Sequence, residues 1–234
     1  MISKILSTAV KLYLRSQVTQ IKDLQVKIVG KNKQILQGYI PQVLLSCDRA
    51  VYQGLHLSQI ELNGLDIAVN LSEVIKKKPL RLLEPILVEI QVKLDEDDLQ
   101  ASLDSELLQS GLKDLWQMIL AAQTNTSEVD LNPTVIEWHS IAIEQQVLNL
   151  KGRYKEPGEE TKELCLSTRL SLADSQTLCL SDLCLSDLNM TNKSSFAGEL
   201  KKELKIDLGT DIAIALISIE AQQIKCAGKI KINN

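Results

Sequence analysis

The chain has 234 residues, 44% of them hydrophobic, a net charge of −4 and only seven Phe, Trp or Tyr. That composition excludes intrinsic disorder, which needs few apolar residues and a high net charge, and ten Gly and five Pro exclude collagen-like and low-complexity chains. Leu, Ile and Val supply 40, 23 and 13 residues, so the apolar material is aliphatic, and the length suits one large domain or two small ones and suffices for a sizeable core.

Residues 2–18 read as an amphipathic helix. Ile2, Ile5, Leu6, Ala9, Val10, Tyr13 and Leu14 recur at three- and four-residue steps, with Lys4, Ser7, Lys11 and Arg15 on the other side. Such a helix either caps a core or lies in a membrane interface with its basic face toward head groups. A strand-rich stretch follows. Leu24, Val26 and Ile28 alternate, 38–52 continues extended through Pro41, and 55–71 changes its apolar phase twice. The second change falls at Asn63-Gly64, which marks either a hairpin turn or a bulge in one long strand. The clearest strand is 86–94, with Ile86, Val88, Ile90, Val92 and Leu94 on one face and Glu89, Gln91 and Lys93 on the other.

Asp95 then reads as a helix N-cap, with carboxylates at Glu96, Asp97 and Asp98 suited to the positive end of the helix dipole. The spacing predicts one long helix over 95–122, about 40 Å at ~1.5 Å per residue, with Gly111 as the place where it would break. Its stripe is Leu99, Leu103, Leu107, Leu112, Leu115 and Ile119. A polar loop, 123–133, ends at Pro133.

The remainder is strand-rich. Residues 135–150 give one or two strands and 151–163 a charged, turn-prone loop. Leu164, Leu166, Leu170 and Leu172 alternate with polar residues, Asp174-Ser175 turns the chain, and Leu178 and Leu180 begin the return. The segment CLSDL occurs at 179–183 and again at 184–188, and an odd period of five cannot stay in phase with a strand, so a bulge is implied. Residues 204–208 and 212–219 are extended, and Ile224, Cys226, Gly228, Ile230 and Ile232 form a last strand with Lys225, Lys229 and Lys231 outside. Strands and helices are segregated, which favours α+β with an extended antiparallel sheet over a doubly wound fold.

Motifs for chemistry are missing. There is no phosphate-binding loop, dinucleotide fingerprint or nucleophile elbow. His56 and His139 have no nucleophile or carboxylate at a local spacing, so no catalytic residue, cofactor or metal ligand set is assigned. The acidic run 95–98 lacks calcium-loop spacing, and helix capping accounts for it. Five Cys without a C-x-x-C pair imply reduced, mostly buried thiols. With Asp174-Ser175 as a two-residue turn, Cys165 would fall opposite Cys184.

Charge is uneven: residues 1–81 hold 12 Lys/Arg against 5 Asp/Glu, and the remainder is acidic. The basic third suggests an anionic partner or simply an uneven solvated surface. Lys76, Lys77, Lys78 and Arg81 make one patch, but interleaved aromatics are missing, so nucleic acid is not the expected partner. Neither a secretory h-region nor an apolar run of membrane-spanning length occurs, which points to the cytoplasm or the cytoplasmic face of a membrane.

Several stretches together resemble the LmeA-like phospholipid-binding family of bacteria, in particular its branch from photosynthetic bacteria. They are LYLRSQV (12–18), KNKQILQGYIPQV (31–43), AVYQGLHLSQIELNGLDIAVNL (50–71), KPLRLLEPI (78–86), DEDDLQASLDSELL (95–108), LSTRLSLADSQTLCLSD (166–182) and IDLGTDIAIALISIEAQQIKCAGKIKI (206–232). The resemblance implies a single domain over 1–234, with a long, curved, mainly antiparallel sheet around a long amphipathic helix, as in tubular lipid-binding domains. It implies a non-catalytic protein whose partners are phospholipid or another acyl lipid. Characterised relatives are exported to the cell envelope, whereas no secretion signal is apparent here.

Lipid sites are lined by aliphatic side chains with few polar groups. Candidates for the lining are Ile86, Val88, Ile90, Val92, Leu103, Leu107, Leu115, Ile119, Leu164, Leu166, Leu170 and Leu172. Candidates for contact with an anionic membrane or head group are Lys4, Lys11, Arg15, Lys76, Lys77, Lys78 and Arg81. The alternative is a structural or partner-binding module whose apolar faces close on one another.

Overall fold

The computed structural model describes residues 2–123, 136–155, 160–187, 198–199 and 203–233, and the backbone alone at 2–5, 122, 123, 187, 198 and 199. The expected loop 123–133 lies, apart from the backbone of Gln123, outside the described residues.

In chain order the elements are α1 (Ile2–Gln17), β1 (Gln20–Val29), α2 (Asn32–Leu36), β2 (Tyr39–Tyr52), β3 (Leu55–Ala68), α3 (Leu71–Val74) and β4 (Ile86–Asp95). Two helices follow, α4 (Glu96–Ala101) and α5 (Glu106–Gln123), then β5 (Glu137–Glu144), β6 (Val147–Tyr154), β7 (Lys162–Asp174), β8 (Thr177–Asp187), β9 (Gly198–Glu199), β10 (Glu203–Asp207), β11 (Ile212–Glu220) and β12 (Gln223–Ile232). The strands pair antiparallel in two sheets. The first has the order β1-β2-β3-β4-β12-β11 and the second β10-β8-β7-β6-β5, with β9 on β8. The last two strands therefore return to the sheet built by the first four.

The expected α+β character and antiparallel sheet hold. The expected single long helix does not: α4 and α5 are separate, and α5 alone spans about 27 Å at ~1.5 Å per residue. The break falls at 102–105 rather than at Gly111. The buried Ser102 hydroxyl donates back to the Asp98 carbonyl (2.6 Å) and accepts the backbone N–H of His56 (2.8 Å), and such back-bonding bends helices. Ser105 Oγ then accepts the Leu108 N–H (3.2 Å) and starts α5 as its N-cap. The β2–β3 turn fits against this break. Gln53 and Gly54 both have positive φ (49° and 81°), and a Cβ on Gly54 would lie 2.8 Å from Ser105 Cβ.

The expected phase changes in β3 are bends within one strand, not a hairpin. Gly64 sits mid-strand between Val43 and Val88, and the left-handed residue that returns Ile67 to the core is Asp66 (φ 52°). The CLSDL repeat carries the expected bulge: Asp182 has φ 51°, and the β7–β8 register shifts between Ser167 and Arg169. That shift corrects the cysteine geometry. The hairpin turn is Ser175-Gln176, Cys184 lies opposite Ser167, Cys165 lies opposite Ser186, and all five thiols are free. The charged loop at 151–163 is shorter than expected, because β6 runs to Tyr154 and β7 begins at Lys162.

The acidic run makes other contacts in place of the expected side-chain cap. Asp95 stands at the N-cap position of α4 without a side-chain cap bond, and its carboxylate pairs with Lys93 (3.0 Å). Asp98 accepts from Ser58 Oγ (2.6 Å), tying α4 to β3. Glu96 accepts the Ile143 N–H (2.6 Å), and Gln100 accepts from Ile141 N (2.9 Å) and donates to the His139 carbonyl (3.0 Å). Helix α4 thus supplies the hydrogen bonds that the edge strand β5 lacks, and it joins the two sheets.

Candidate functional site

Residues directly opposite in an antiparallel pair share a face, so the ladder register defines continuous rows. Across the first sheet one row runs Leu45–Leu62–Ile90–Gly228–Ile214. Its neighbours run Val43–Gly64–Val88–Ile230–Ile212 and Cys47–Ile60–Val92–Cys226–Ile217. Every side chain in these rows is apolar or a thiol. The opposite face carries Glu61, Glu89, Gln91, Lys93, Lys225 and Lys229, with ion pairs such as Lys229–Glu89 (3.6 Å).

The apolar face is covered unevenly. Helix α1 lies over the β1–β2 side: Leu6 is fully buried with Ile35, Ile40 and Ile67, while Leu14 packs beside Leu45 and Cys47. At the other end, α5 and the second sheet close a larger core in which Leu94, Ile217, Ile219 and Ile224 join Leu115, Trp116, Ile119, Leu164 and Leu166. Between these cores lies a strip that joins neither of them, among the described residues. Ile90, Val92, Cys226, Ile230, Ile232 and Ile214 are half-buried, Ile212 is exposed, and none of them belongs to a packed cluster. Gly228 lies in the floor of the strip, where a Cβ would collide with the Ala213 carbonyl oxygen, so the backbones approach closely and the floor stays low. Ile214 N donates to Ser175 O (2.6 Å), which brings the end of the β7–β8 hairpin alongside. Burial in these apolar surroundings pushes the Cys226 thiol above its ordinary pKa.

The twelve lining candidates separate into three environments. Ile86, Val88, Ile90 and Val92 share the inner face of β4; Val88 is buried, Ile86 packs into the α1 side, and Ile90 and Val92 line the strip. Leu103, Leu115, Ile119, Leu164 and Leu166 are closed into the large core, and Leu170 packs against it. Leu107 is 45% exposed, and Leu172 is half-buried on the β7–β8 hairpin. The structure therefore does not bring the helix stripe and β4 together around one cleft. The residues of the strip outside the twelve lining candidates, Ile212, Ile214, Cys226, Ile230 and Ile232, come from β11 and β12. Their alternation was visible in the sequence, but their adjacency to β4 was not.

Among the membrane candidates, Lys11 is half-buried on α1 and Arg15 is exposed, while the Lys4 side chain lies outside the described residues. Lys76, Lys77, Lys78 and Arg81 are exposed on the loop between α3 and β4, where Lys78 pairs with Glu73 (3.4 Å). Two surface depressions, of about 480 and 400 Å³, lie elsewhere, on the polar side of the first sheet around Lys27, Glu61 and Glu89 and at its end around Asp95, Glu96 and Gln222. Among the described residues, no group of three His, Cys, Asp or Glu could hold a metal ion, and no helix is long and apolar enough to cross a membrane.

An open aliphatic strip beside closed cores is the kind of surface on which an acyl chain fits. The family model for LmeA-like phospholipid-binding matches residues 1–229. The chain belongs to that family. Membership in a phospholipid-binding family points to lipid as the class of ligand. Among the curated proteins and the solved structures compared, none matches the chain.

Proposed function

We propose that this LmeA-like chain is a non-catalytic lipid-handling protein that docks peripherally on an anionic membrane and shields acyl chains along the open strip of the first sheet. The observation that carries this reading is the half-buried run across β4, β12 and β11, which neither α1 nor α5 covers. Each CH₂ taken from water onto that strip contributes about 0.8 kcal/mol. Head-group and membrane contact falls to the basic N-terminal third, where Arg15, Lys76, Lys77 and Arg81 are exposed.

The test is solvent extraction of purified protein followed by mass analysis of the extract. Stoichiometric phospholipid is expected, together with a drop in lipid content when Ile90 and Ile230 are both changed to Asn. Protein that purifies empty and gains no thermal stability from added phospholipid sinks the reading. One observation favours a second reading, a partner-binding module: most of the expected helix lining is closed into a core. It requires a protein rather than a lipid on the strip, and empty protein that captures no lipid is its signature.

A further inference from the structure

The loop from Asn70 to Leu83 stands at the end of the first sheet where β4 begins and β12 ends. It is stapled at its base. The buried Asn70 side chain donates to the Pro79 carbonyl (3.0 Å) and to Glu73 (3.1 Å) and accepts the Arg81 N–H (2.8 Å). Leu71, Val74, Leu80 and Leu82 pack inward with Ile35 and Ile67. Three aliphatic side chains nevertheless face solvent at this end. Ile75 is 59% exposed, and Leu83 and Leu87 are each 56% exposed. The same segment carries the exposed Lys76, Lys77, Lys78 and Arg81 against one exposed carboxylate, Glu84, and Lys231 lies directly opposite Leu87 across the β4–β12 ladder. Among the described residues, Lys76, Lys77 and Lys231 make no ion pair. Lys77 also holds a left-handed conformation (φ 65°) just past α3, a position where Gly is the usual residue.

We propose that this end of the sheet is a membrane-insertion tip, in which Ile75, Leu83 and Leu87 enter the acyl boundary of an anionic phospholipid bilayer and Lys76, Lys77 and Lys231 form a cationic collar at head-group depth. The proposal rests on the lipid-handling reading above and names the part of the molecule that touches the membrane. The charge decides the occupant. An exposed apolar patch alone fits a protein partner, but unpaired cations around aliphatic side chains on a rigid base match the layering of an anionic bilayer, apolar inside and negative at its surface. At this end of the sheet the rungs of the apolar face are Val88–Ile230 and Ile86–Ile232, with Val88 buried and Ile86 packed toward α1, while Leu87 and Lys231 share the opposite face.

The experiment is flotation of the full chain with phosphatidylcholine vesicles, with and without phosphatidylglycerol. It compares the wild type with a triple variant, Ile75→Ser, Leu83→Ser and Leu87→Ser, and with a double variant, Lys76→Gln and Lys77→Gln. A control variant, Leu216→Ser, removes an exposed aliphatic residue on β11 outside the tip. All are read alongside thermal midpoint and co-extracted phospholipid. The wild type is expected to bind only vesicles containing phosphatidylglycerol. The double variant should bind roughly 30-fold more weakly, from about 1 kcal/mol per lysine near such a surface. The triple variant should lose binding at all salt concentrations, with its melting and lipid content unchanged, and the control should bind as the wild type does. Equal binding to both vesicle types overturns the proposal. So does wild-type binding by the triple variant, or a dimer that the triple variant dissolves. Vesicle binding without co-extracted lipid supports the tip and refutes the acyl-binding strip.

Discussion

Whether the strip is open or closed can be measured by comparing two truncations. Leu166→Ala and Ile90→Ala each delete about three methylene equivalents, a transfer term of about 2.4 kcal/mol at ~0.8 kcal/mol each. Leu166 is fully buried in the large core, so its truncation adds a cavity term, and a total of about 3–4 kcal/mol is expected. Ile90 is largely but not fully buried on the strip, so about three-quarters of the transfer term is lost and no enclosed cavity forms, which leaves about 1.8 kcal/mol. At roughly 2–4 °C per kcal/mol for a chain of this size, the midpoint shifts are about 10 °C and about 5 °C. Urea unfolding of lipid-stripped protein measures both. With saturating phospholipid the order changes in an informative way: a ligand that binds only the folded state stabilises it by mass action, and Ile90→Ala should lose part of that gain while Leu166→Ala keeps it. Equal losses for the two variants in stripped protein would refute the reasoning, because they would mean that β4 is packed as tightly as the core.

Three further outcomes are expected. Gln100→Ala removes both hydrogen bonds to β5, so exchange at the Ile141 amide should accelerate roughly fivefold, as expected for a lost bond of about 1 kcal/mol, read by hydrogen–deuterium exchange. Cys184 is exposed and should be the first thiol alkylated, while Cys226, half-buried on the strip, should react slowly and be protected further by bound phospholipid, as followed by mass spectrometry. The Asp174 carboxylate accepts the Gln176 N–H (2.8 Å), and that bond, with further contacts to Thr177, holds its pKa below the ordinary carboxylate value. Its contribution to the β7–β8 turn is therefore present above the unfolded-state pKa and is lost as pH falls through the depressed folded one. An NMR titration should find that lower value, and Asp174→Asn should abolish the pH dependence of the turn.

Local chemistry made much of this architecture legible. Strict alternation over 86–94 and 224–232 needs no partner to say which side chains share a face, and the five-residue repeat implied the bulge that Asp182 forms. The same periodicity misled at the helix. Leu99, Leu103 and Leu107 keep helical spacing, but Ser102 is drawn out of a regular helix by a backbone N–H from His56, 46 residues away in sequence. The signal available in the sequence was the pair Ser102 and Ser105, of which Ser105 sits where an N-cap belongs.

The sequence by itself determined the α+β class, the aliphatic character of the interior, most strands and the polarity of their faces. These follow from side-chain period and propensity, which act over a few residues. Only the tertiary structure decided which of those faces are covered. The return of β11 and β12 to β4 extends the apolar rows, α1 and α5 cover their two sides, and among the described residues the middle joins neither core. Coverage depends on contacts between segments more than a hundred residues apart, and no local pattern encodes it. The same holds for Ile75 and Leu83, whose exposure beside lysines appears only once Asn70 has folded their loop back on itself at the end of β4 that carries Leu87.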